Sequence, residues 1–167
     1  MASIHRFEDI EAWQEARRLT RAIYRVTRKG QFTKDWGVAD QIQRASVSVM
    51  TNIVEGFDSG SNVEFGRFLS YARRSVSEVQ SLLYVALDHS YIPEDEFSEL
   101  YEQAEKVRRM VTAFTTYLRS HRLNNAPTRQ RANAPAGLQS NAPTRLRRRR
   151  ISPQVAIWLK RANAPTV

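Results

Sequence analysis

The residues best suited to chemistry are basic side chains that recur near the N-terminus with helical spacing. At 100° per residue they fall within an arc of about 120° on one helix face. They are Arg17, Arg18, Arg21, Arg25, Arg28 and Lys29. Neither Arg21 nor Arg25 has an acidic residue three or four positions away, so neither charge is neutralised within its own helix. This row of guanidinium groups favours binding to the phosphates of nucleic acid.

The same row also fits a solvated face, or a face that pairs with an acidic fourth helix. Glu11 and Glu15 are candidates to pair with Arg18 from within the first helix. The sequence leaves these alternatives open beside the phosphate-binding interpretation.

Two further arginine pairs, Arg73-Arg74 and Arg108-Arg109, have acidic residues at helical spacing. Glu78 follows Arg74 by four positions, and Glu105 precedes Arg109 by four. Because such spacing favours ion pairs along a helix, local pairing is the preferred interpretation for both.

A second basic cluster lies near the C-terminus, where five arginines form a run that only Leu146 interrupts. They are Arg145, Arg147, Arg148, Arg149 and Arg150. Unopposed arginines of this density attract phosphate polyanions without implying sequence specificity. Nucleic-acid attraction is therefore the favoured interpretation of this run.

Catalytic and metal-binding patterns are not apparent in the sequence. The chain has no cysteine, and its three histidines are too scattered to form a metal site. Asn52 and Glu55 are interpreted as holding the turn after the second helix rather than forming a polar site. We therefore expect no enzymatic activity, no metal site and no cofactor.

The elements that position these residues are four amphipathic helices joined by short connections. The apolar period and the end signals predict helices over 9–29, 34–55, 61–89 and 93–119. Asp9 is the expected N-cap of the first helix, Gly30 and Gly56 the expected terminators of the first two, and Ser61 with Glu64 a capping box. The sequence predicts an all-α fold, an up-down four-helix bundle over residues 6–120.

Apolar residues at helical spacing indicate which faces form the core. In the first helix these are Ala12, Ala16, Leu19, Ile23 and Val26. In the second they are Trp36, Ile42, Val49, Met50 and Ile53. The basic row of the first helix is centred opposite its apolar arc.

The charge of the chain is concentrated in its last 47 residues. Residues 1–120 contain 16 Lys+Arg and 17 Asp+Glu, a net charge of −1, whereas residues 121–167 contain 10 Lys+Arg and no acid. Asn-Ala-Pro recurs four times in this basic tail, which is predicted to be mostly disordered or to dock on a partner. The segment 152–160 fits a short docking helix or translated repeat sequence without a role.

The expected cellular location follows from two features that the sequence does not contain. No apolar run approaches the roughly 18 residues of a membrane span. The first residues contain no apolar segment typical of a secretory signal. We therefore expect a cytoplasmic protein that does not associate with membranes.

Three stretches of the chain are characteristic in combination: FEDIEAWQEARRLTRAIYRVT, QIQRASVSVMTNIVEG and EFGRFLSYARRSVSEVQSLLYVALDHSYI. They resemble the S23, or 23S rRNA intervening-sequence, family of four-helix-bundle proteins. The resemblance covers roughly residues 6–119, and its most specific part is Asn52 with Glu55-Gly56, followed by Glu64-Phe65 and Phe68-Leu69. The basic tail has no counterpart in it.

This resemblance implies a four-helix bundle that assembles as a homopentamer around a central channel. It also extends to the accessory variability determinant of diversity-generating retroelements, which partners a reverse transcriptase and binds nucleic acid. The expected function is thus a non-enzymatic, oligomeric RNA-binding accessory protein, with a reverse transcriptase as a partner. The alternative is a protein-interaction scaffold ring that contacts RNA only incidentally, through the tail.

Overall fold

A computed structural model describes residues 5–124, which form four α-helices and two short 3-10 turns. The helices are α1 (Glu11–Val26), α2 (Trp36–Asp58), α3 (Asn62–Asp88) and α4 (Glu94–Asn124). Each helix packs against the next in the chain, and α1 also packs against α4, which closes the bundle. The predicted all-α four-helix bundle is confirmed. The Asn-Ala-Pro tail and the segment 152–160 lie outside the described residues.

The core of the bundle lies along the apolar arcs of the helices. All five predicted core residues of α1 are at most 1% exposed. Trp36, by contrast, is 73% exposed, so its placement in the core was wrong. Trp36 is the first residue of α2, about 120° around the helix from the buried Ile42 at 100° per residue, and it therefore points away from the core.

The ends of α1 differ from the prediction because local contacts override the expected cap and terminator. Asp9 lies in a 3-10 turn and does not cap; α1 begins after Ile10, which is fully buried. At the other end the buried Thr27 hydroxyl donates to the Ile23 carbonyl at 2.9 Å, and the helix stops at Val26. Gly30 instead opens the second 3-10 turn with φ +50°, a backbone angle that favours glycine.

Gly56 does not end α2, which continues through it to Asp58. A Cβ added at Gly56 would lie 2.4 Å from Cδ2 of Phe65 and 3.0 Å from Cβ of Phe68. Glycine is therefore required here because α2 and α3 approach too closely for a side chain. The prediction that Gly56 ends the helix was therefore wrong. The glycine is needed for the close packing of α2 against α3.

The caps of α2 and α3 orient the two helices at their first residues. Asp35 Oδ1 accepts from the Val38 backbone N–H at 3.1 Å. Ser61 Oγ accepts from the Glu64 N–H at 3.1 Å, which confirms the serine of the predicted capping box. Helix α4 runs to Asn124, five residues beyond its predicted end at Arg119.

Candidate nucleic-acid interface

The six predicted basic residues are all exposed: Arg17, Arg18, Arg21 and Arg25 share one face of α1, and Arg28 and Lys29 follow its end at Val26. Together they are here called the α1 basic face. They are held outward because Leu19 and Ile23, on the opposite side of the helix, are fully buried in the core. Packing of the apolar arc thus determines where the cations point.

One edge of this face is tied to α4 through the buried carboxylate of Glu15. Arg18 Nη1 donates to Glu15 Oε2 at 2.7 Å, and Lys106 Nζ donates to the same oxygen at 3.0 Å. Gln103 Nε2 donates to the other oxygen at 3.4 Å. Burial alone raises the pKa of Glu15, but these hydrogen bonds and the adjacent charges outweigh it, so its pKa lies below the ordinary value. The predicted pairing of Arg18 with Glu15 is confirmed.

Two other arginines of the face rest against aromatic rings. The guanidinium carbon of Arg17 lies 5.9 Å from the ring centroid of Trp13, and that of Arg28 lies 5.5 Å from the ring centroid of Tyr24. A cation–π contact orients a guanidinium group without neutralising its charge. Both side chains therefore remain available to an anion.

Arg21 and Arg25, at the centre of the face, make no ion pair within residues 5–124. The alternative of pairing with α4 is realised only at the edge, where Lys29 Nζ lies 3.9 Å from Glu96 Oε1. The two central guanidinium groups thus keep their full charge and hydrogen-bonding capacity, which an external phosphate oxygen would satisfy.

Arg108 and Arg109 of α4 are neutralised within their own helix, as predicted. Arg108 makes two hydrogen bonds to Glu105, at 2.7 and 2.8 Å, and Arg109 Nη1 lies 3.9 Å from the same carboxylate. The hydrogen bond from Arg108 holds the pKa of Glu105 below its ordinary value.

The predicted pairing of Arg74 with Glu78 on α3 was wrong. Arg74 instead lies over the Tyr71 ring, 5.8 Å from its centroid, and Glu78 accepts a hydrogen bond from Gln41 of α2. Tyr71, three residues before Arg74, and the amide of Gln41 on the adjacent helix therefore compete with the Arg74–Glu78 ion pair.

A groove of about 510 Å³ lies at the C-terminal end of the α1 basic face, between α1, the second 3-10 turn and α2. Its walls combine one guanidinium group, one indole, one carboxylate and several neutral polar or small side chains. The lining residues are Thr27, Arg28, Thr33, Trp36, Ala39, Asp40 and Gln43. Sequence reasoning missed this groove because it assigned Trp36 to the core, although its position at the start of α2, directly after Asp35, was a usable signal.

Asn52 has a structural role, but not the one expected from its position. Its Nδ2 donates to the Ser48 carbonyl at 2.7 Å and to Ser48 Oγ at 3.1 Å, and Ser48 Oγ lies 3.0 Å from Ser75 Oγ of α3. This network joins α2 to α3 one turn before Gly56, away from the connecting turn. Glu55 is exposed.

The part of the chain that the structure describes contains neither a metal site nor a membrane-spanning helix. Among residues 5–124 no group of three or more His, Asp and Glu side chains is placed to hold a metal ion. No helix within these residues is long and apolar enough to cross a membrane. The predicted nucleic-acid-binding run of Arg145, Arg147, Arg148, Arg149 and Arg150 lies outside the described residues.

The fold and this surface define a class of protein: an all-α four-helix bundle that carries a basic face on its first helix. The chain belongs to the 23S rRNA-intervening sequence protein family, whose model matches residues 8–113. A crystal structure of a protein of unknown function from the S23 ribosomal protein family of Bacteroides thetaiotaomicron is similar in fold, with a TM-score of 0.58 and 18% identity. This similarity covers 62% of our chain and 97% of that one. A comparison with curated proteins finds no match.

Proposed function

We propose that this chain is a non-enzymatic, cytoplasmic RNA-binding accessory protein that contacts phosphates through the α1 basic face. The observation that carries the proposal is the pair of exposed, unpaired arginines at the centre of that face, Arg21 and Arg25. Because residues 1–120 have a net charge of only −1, attraction to a polyanion requires a local cluster of cations such as this face and is not a property of the whole bundle. Membership in a family named for 23S rRNA intervening sequences supports RNA as the polyanion.

The oligomer in this proposal is a homopentamer, supported by the resemblance to the S23 family. A ring of five chains presents five basic faces, and simultaneous engagement raises the effective affinity for one RNA well above that of a single face. Sedimentation equilibrium over a wide concentration range measures the assembled mass. A constant monomer mass would refute the pentamer and remove the contribution of avidity.

The protein partner in this proposal is a reverse transcriptase, again by resemblance to retroelement accessory proteins. The genes beside this one distinguish the two settings of such proteins. A neighbouring reverse-transcriptase gene supports the retroelement setting, whereas a position inside a ribosomal RNA gene supports the intervening-sequence setting and argues against that partner.

A second candidate, a protein-interaction scaffold, is favoured by an aromatic cluster on α3 and α4. Tyr84 is 49% exposed, and its ring centroid lies 5.0 Å from that of Phe97 and 5.6 Å from that of Tyr101. Exposed aromatic side chains are enriched in protein interfaces. A protein partner that stays bound to the chain after nuclease treatment would favour this candidate.

The test of RNA binding separates the α1 basic face from the tail. A hairpin RNA with a ten-nucleotide loop is titrated with the full chain and with a tail-neutral chain, in which all ten Lys and Arg residues of 121–167 are replaced by serine. In the tail-neutral background, Arg18, Arg21, Arg25 and Arg28 are then changed to glutamate. We expect the tail-neutral chain to bind and the quadruple variant to lose at least 100-fold in affinity at about 0.1 M salt.

The outcomes assign the activity to one region or the other. Unchanged affinity in the quadruple variant would remove the role of the α1 basic face. Loss of all binding in the tail-neutral chain would assign the activity to the tail alone and favour the scaffold. Circular dichroism of each variant confirms that the helices remain folded, as expected because all four replaced arginines are exposed.

A further inference from the structure

Trp36 is the most exposed large apolar side chain among residues 5–120, at 73% of its surface. Burial of a tryptophan is a large source of stability, and this position forgoes it. The neighbouring Asp35 caps α2 through Val38, so the backbone at Trp36 is fixed while its indole faces solvent. An exposed indole on a fixed backbone is suited to stack on a flat ligand.

The groove beside this indole is held open by hydrogen bonds between α1 and α2. Gln43 Nε2 donates to Thr27 Oγ1 at 2.7 Å, and Thr27 Oγ1 donates to the Ile23 carbonyl at 2.9 Å. This chain of bonds fixes the floor of the groove to the end of α1. This part of the groove is therefore preformed, which lowers the entropy cost of binding there.

The remaining walls offer both signs of charge within one groove. Arg28 contributes a guanidinium group, and Asp40 contributes an exposed carboxylate whose Oδ2 lies 3.4 Å from Arg44 Nε. A nucleobase has a π-face for the indole, N–H groups that a carboxylate accepts, and an adjoining phosphate for an arginine. No lipid or simple anion uses all three of these features.

We propose that the Trp36 groove is a subsite for one unpaired base of single-stranded RNA, with the base stacked on the indole and its phosphate on Arg28. The inference rests on the proposed function and deepens it, because it specifies looped RNA rather than duplex RNA. Charge complementarity selects this occupant over a second copy of the chain, since Arg28, Arg25 and Arg21 continue from the groove along the α1 basic face. In a duplex the bases are stacked on each other and cannot enter.

The test compares three polyanions against matched variants in the tail-neutral chain. The probes are a ten-nucleotide uridine RNA, a ten-base-pair RNA duplex and inorganic polyphosphate, which has no bases. Trp36→Ala is the test variant, Trp36→Phe the rescue variant, and Tyr84→Ala the control at an exposed aromatic on another face. We expect Trp36→Ala to weaken binding to the uridine RNA about 5- to 100-fold. Binding to the duplex and to polyphosphate is expected to change less than twofold, and Trp36→Phe is expected to restore most of the loss.

A spectroscopic readout reports the stacking itself. The chain contains three tryptophans, so a variant with Trp13→Phe and Trp158→Phe leaves Trp36 as the single emitter. Uridine RNA is expected to quench its fluorescence, whereas polyphosphate is expected to leave it unchanged.

Each contrary outcome has a distinct meaning. Equal loss on all three probes, or unchanged uridine-RNA binding in Trp36→Ala while the quadruple arginine variant loses affinity, would overturn the subsite and leave the proposed function standing. A fall in assembled mass in Trp36→Ala, measured by sedimentation, would assign the groove to a second copy instead. Absence of RNA binding by the unaltered chain would overturn both the subsite and the proposed function.

Discussion

Helices α1 and α4 both carry arginines at helical spacing, but the two at the centre of α1 are unopposed, whereas Arg108 and Arg109 of α4 share one carboxylate. In α4 a single acid, Glu105, lies three and four positions before Arg108 and Arg109 and binds both. In α1 no acid occupies the corresponding positions around Arg21 and Arg25, and neither is paired within residues 5–124. The difference shows that the placement of acids, and not the number of arginines, decides which surface can attract a polyanion.

The two helices are nevertheless mechanically linked through Glu15. This carboxylate of α1 accepts from Lys106 of α4 and from Arg18 of the α1 basic face. Glu15 therefore pairs with one cation from each helix and links the surface of α1 to that of α4. The α1 basic face is thus bordered, on its α4 side, by a contact in which one carboxylate offsets part of the charge of two cations.

In the comparison of the two helices, the largest expected effect comes from reversing two charges of α1 in the tail-neutral chain. Arg21→Glu with Arg25→Glu is expected to weaken hairpin-RNA binding about 10- to 100-fold at 0.1 M salt, because two unpaired phosphate-binding cations become repulsive. Titration monitored by fluorescence anisotropy measures the RNA affinity of this variant and of its matched control.

The matched control is Arg108→Glu with Arg109→Glu, which is expected to change RNA affinity less than threefold. Its main effect should be on stability, since three carboxylates would then repel one another around Glu105. Equal losses of affinity on the two helices would show that the bundle attracts RNA through its overall charge.

Removal of the link between the helices is expected to have the next largest effect. Glu15→Gln should lower the free energy of unfolding by about 1–2 kcal/mol, a modest cost for a buried pair because Lys106 and Arg18 remain solvated. Urea unfolding measures the difference between this variant and the unaltered chain.

The pH dependence of that difference follows from the lowered pKa of Glu15. A carboxyl group whose pKa is lower in the folded state stabilises the fold above its unfolded pKa, roughly 4.3, and loses that contribution as the pH falls through its folded pKa. The stability gap is therefore expected at pH 7 and should shrink below pH of about 4. A gap that is independent of pH would show that Glu15 acts through packing instead of charge.

A smaller effect is expected from Glu105→Gln, which converts the paired arginines of α4 into unpaired ones. The loss of these largely exposed pairs should cost about 0.5 kcal/mol of unfolding free energy. RNA affinity should rise about twofold, since Arg108 and Arg109 become available to phosphates. Unchanged affinity would mean that this side of the bundle does not approach the RNA.

Much of the bundle was predictable from sequence because its helices follow the apolar period closely. The buried arc of α1 was predicted residue by residue, and the basic face follows as its opposite side. The unpaired state of Arg21 and Arg25 was also predictable in part, since local acid spacing excludes pairs within the helix. What spacing did not provide was the absence of partners on the neighbouring helices.

The features that were missed depend on contacts between distant segments. Gly56 has the sequence signature of a helix terminator, yet its role is to admit Phe65 of α3. Trp36 is of a residue type that is common in cores. Because α2 begins at this position, its side chain points outward and lines the groove. The role of Gly56 does not follow from local propensity because it depends on where α3 lies, whereas the outward position of Trp36 depends on the residue at which α2 begins.

The salt dependence of RNA binding tests the central claim most directly, with the single variants Arg25→Gln and Arg109→Gln in the tail-neutral chain. Each phosphate contact contributes about 0.7–0.9 to the slope of log affinity against log salt. We predict that Arg25→Gln lowers the magnitude of this slope by about that amount, whereas Arg109→Gln leaves it unchanged. Equal slopes for the two variants, or a decrease only in Arg109→Gln, would contradict the assignment of phosphate contact to the α1 basic face.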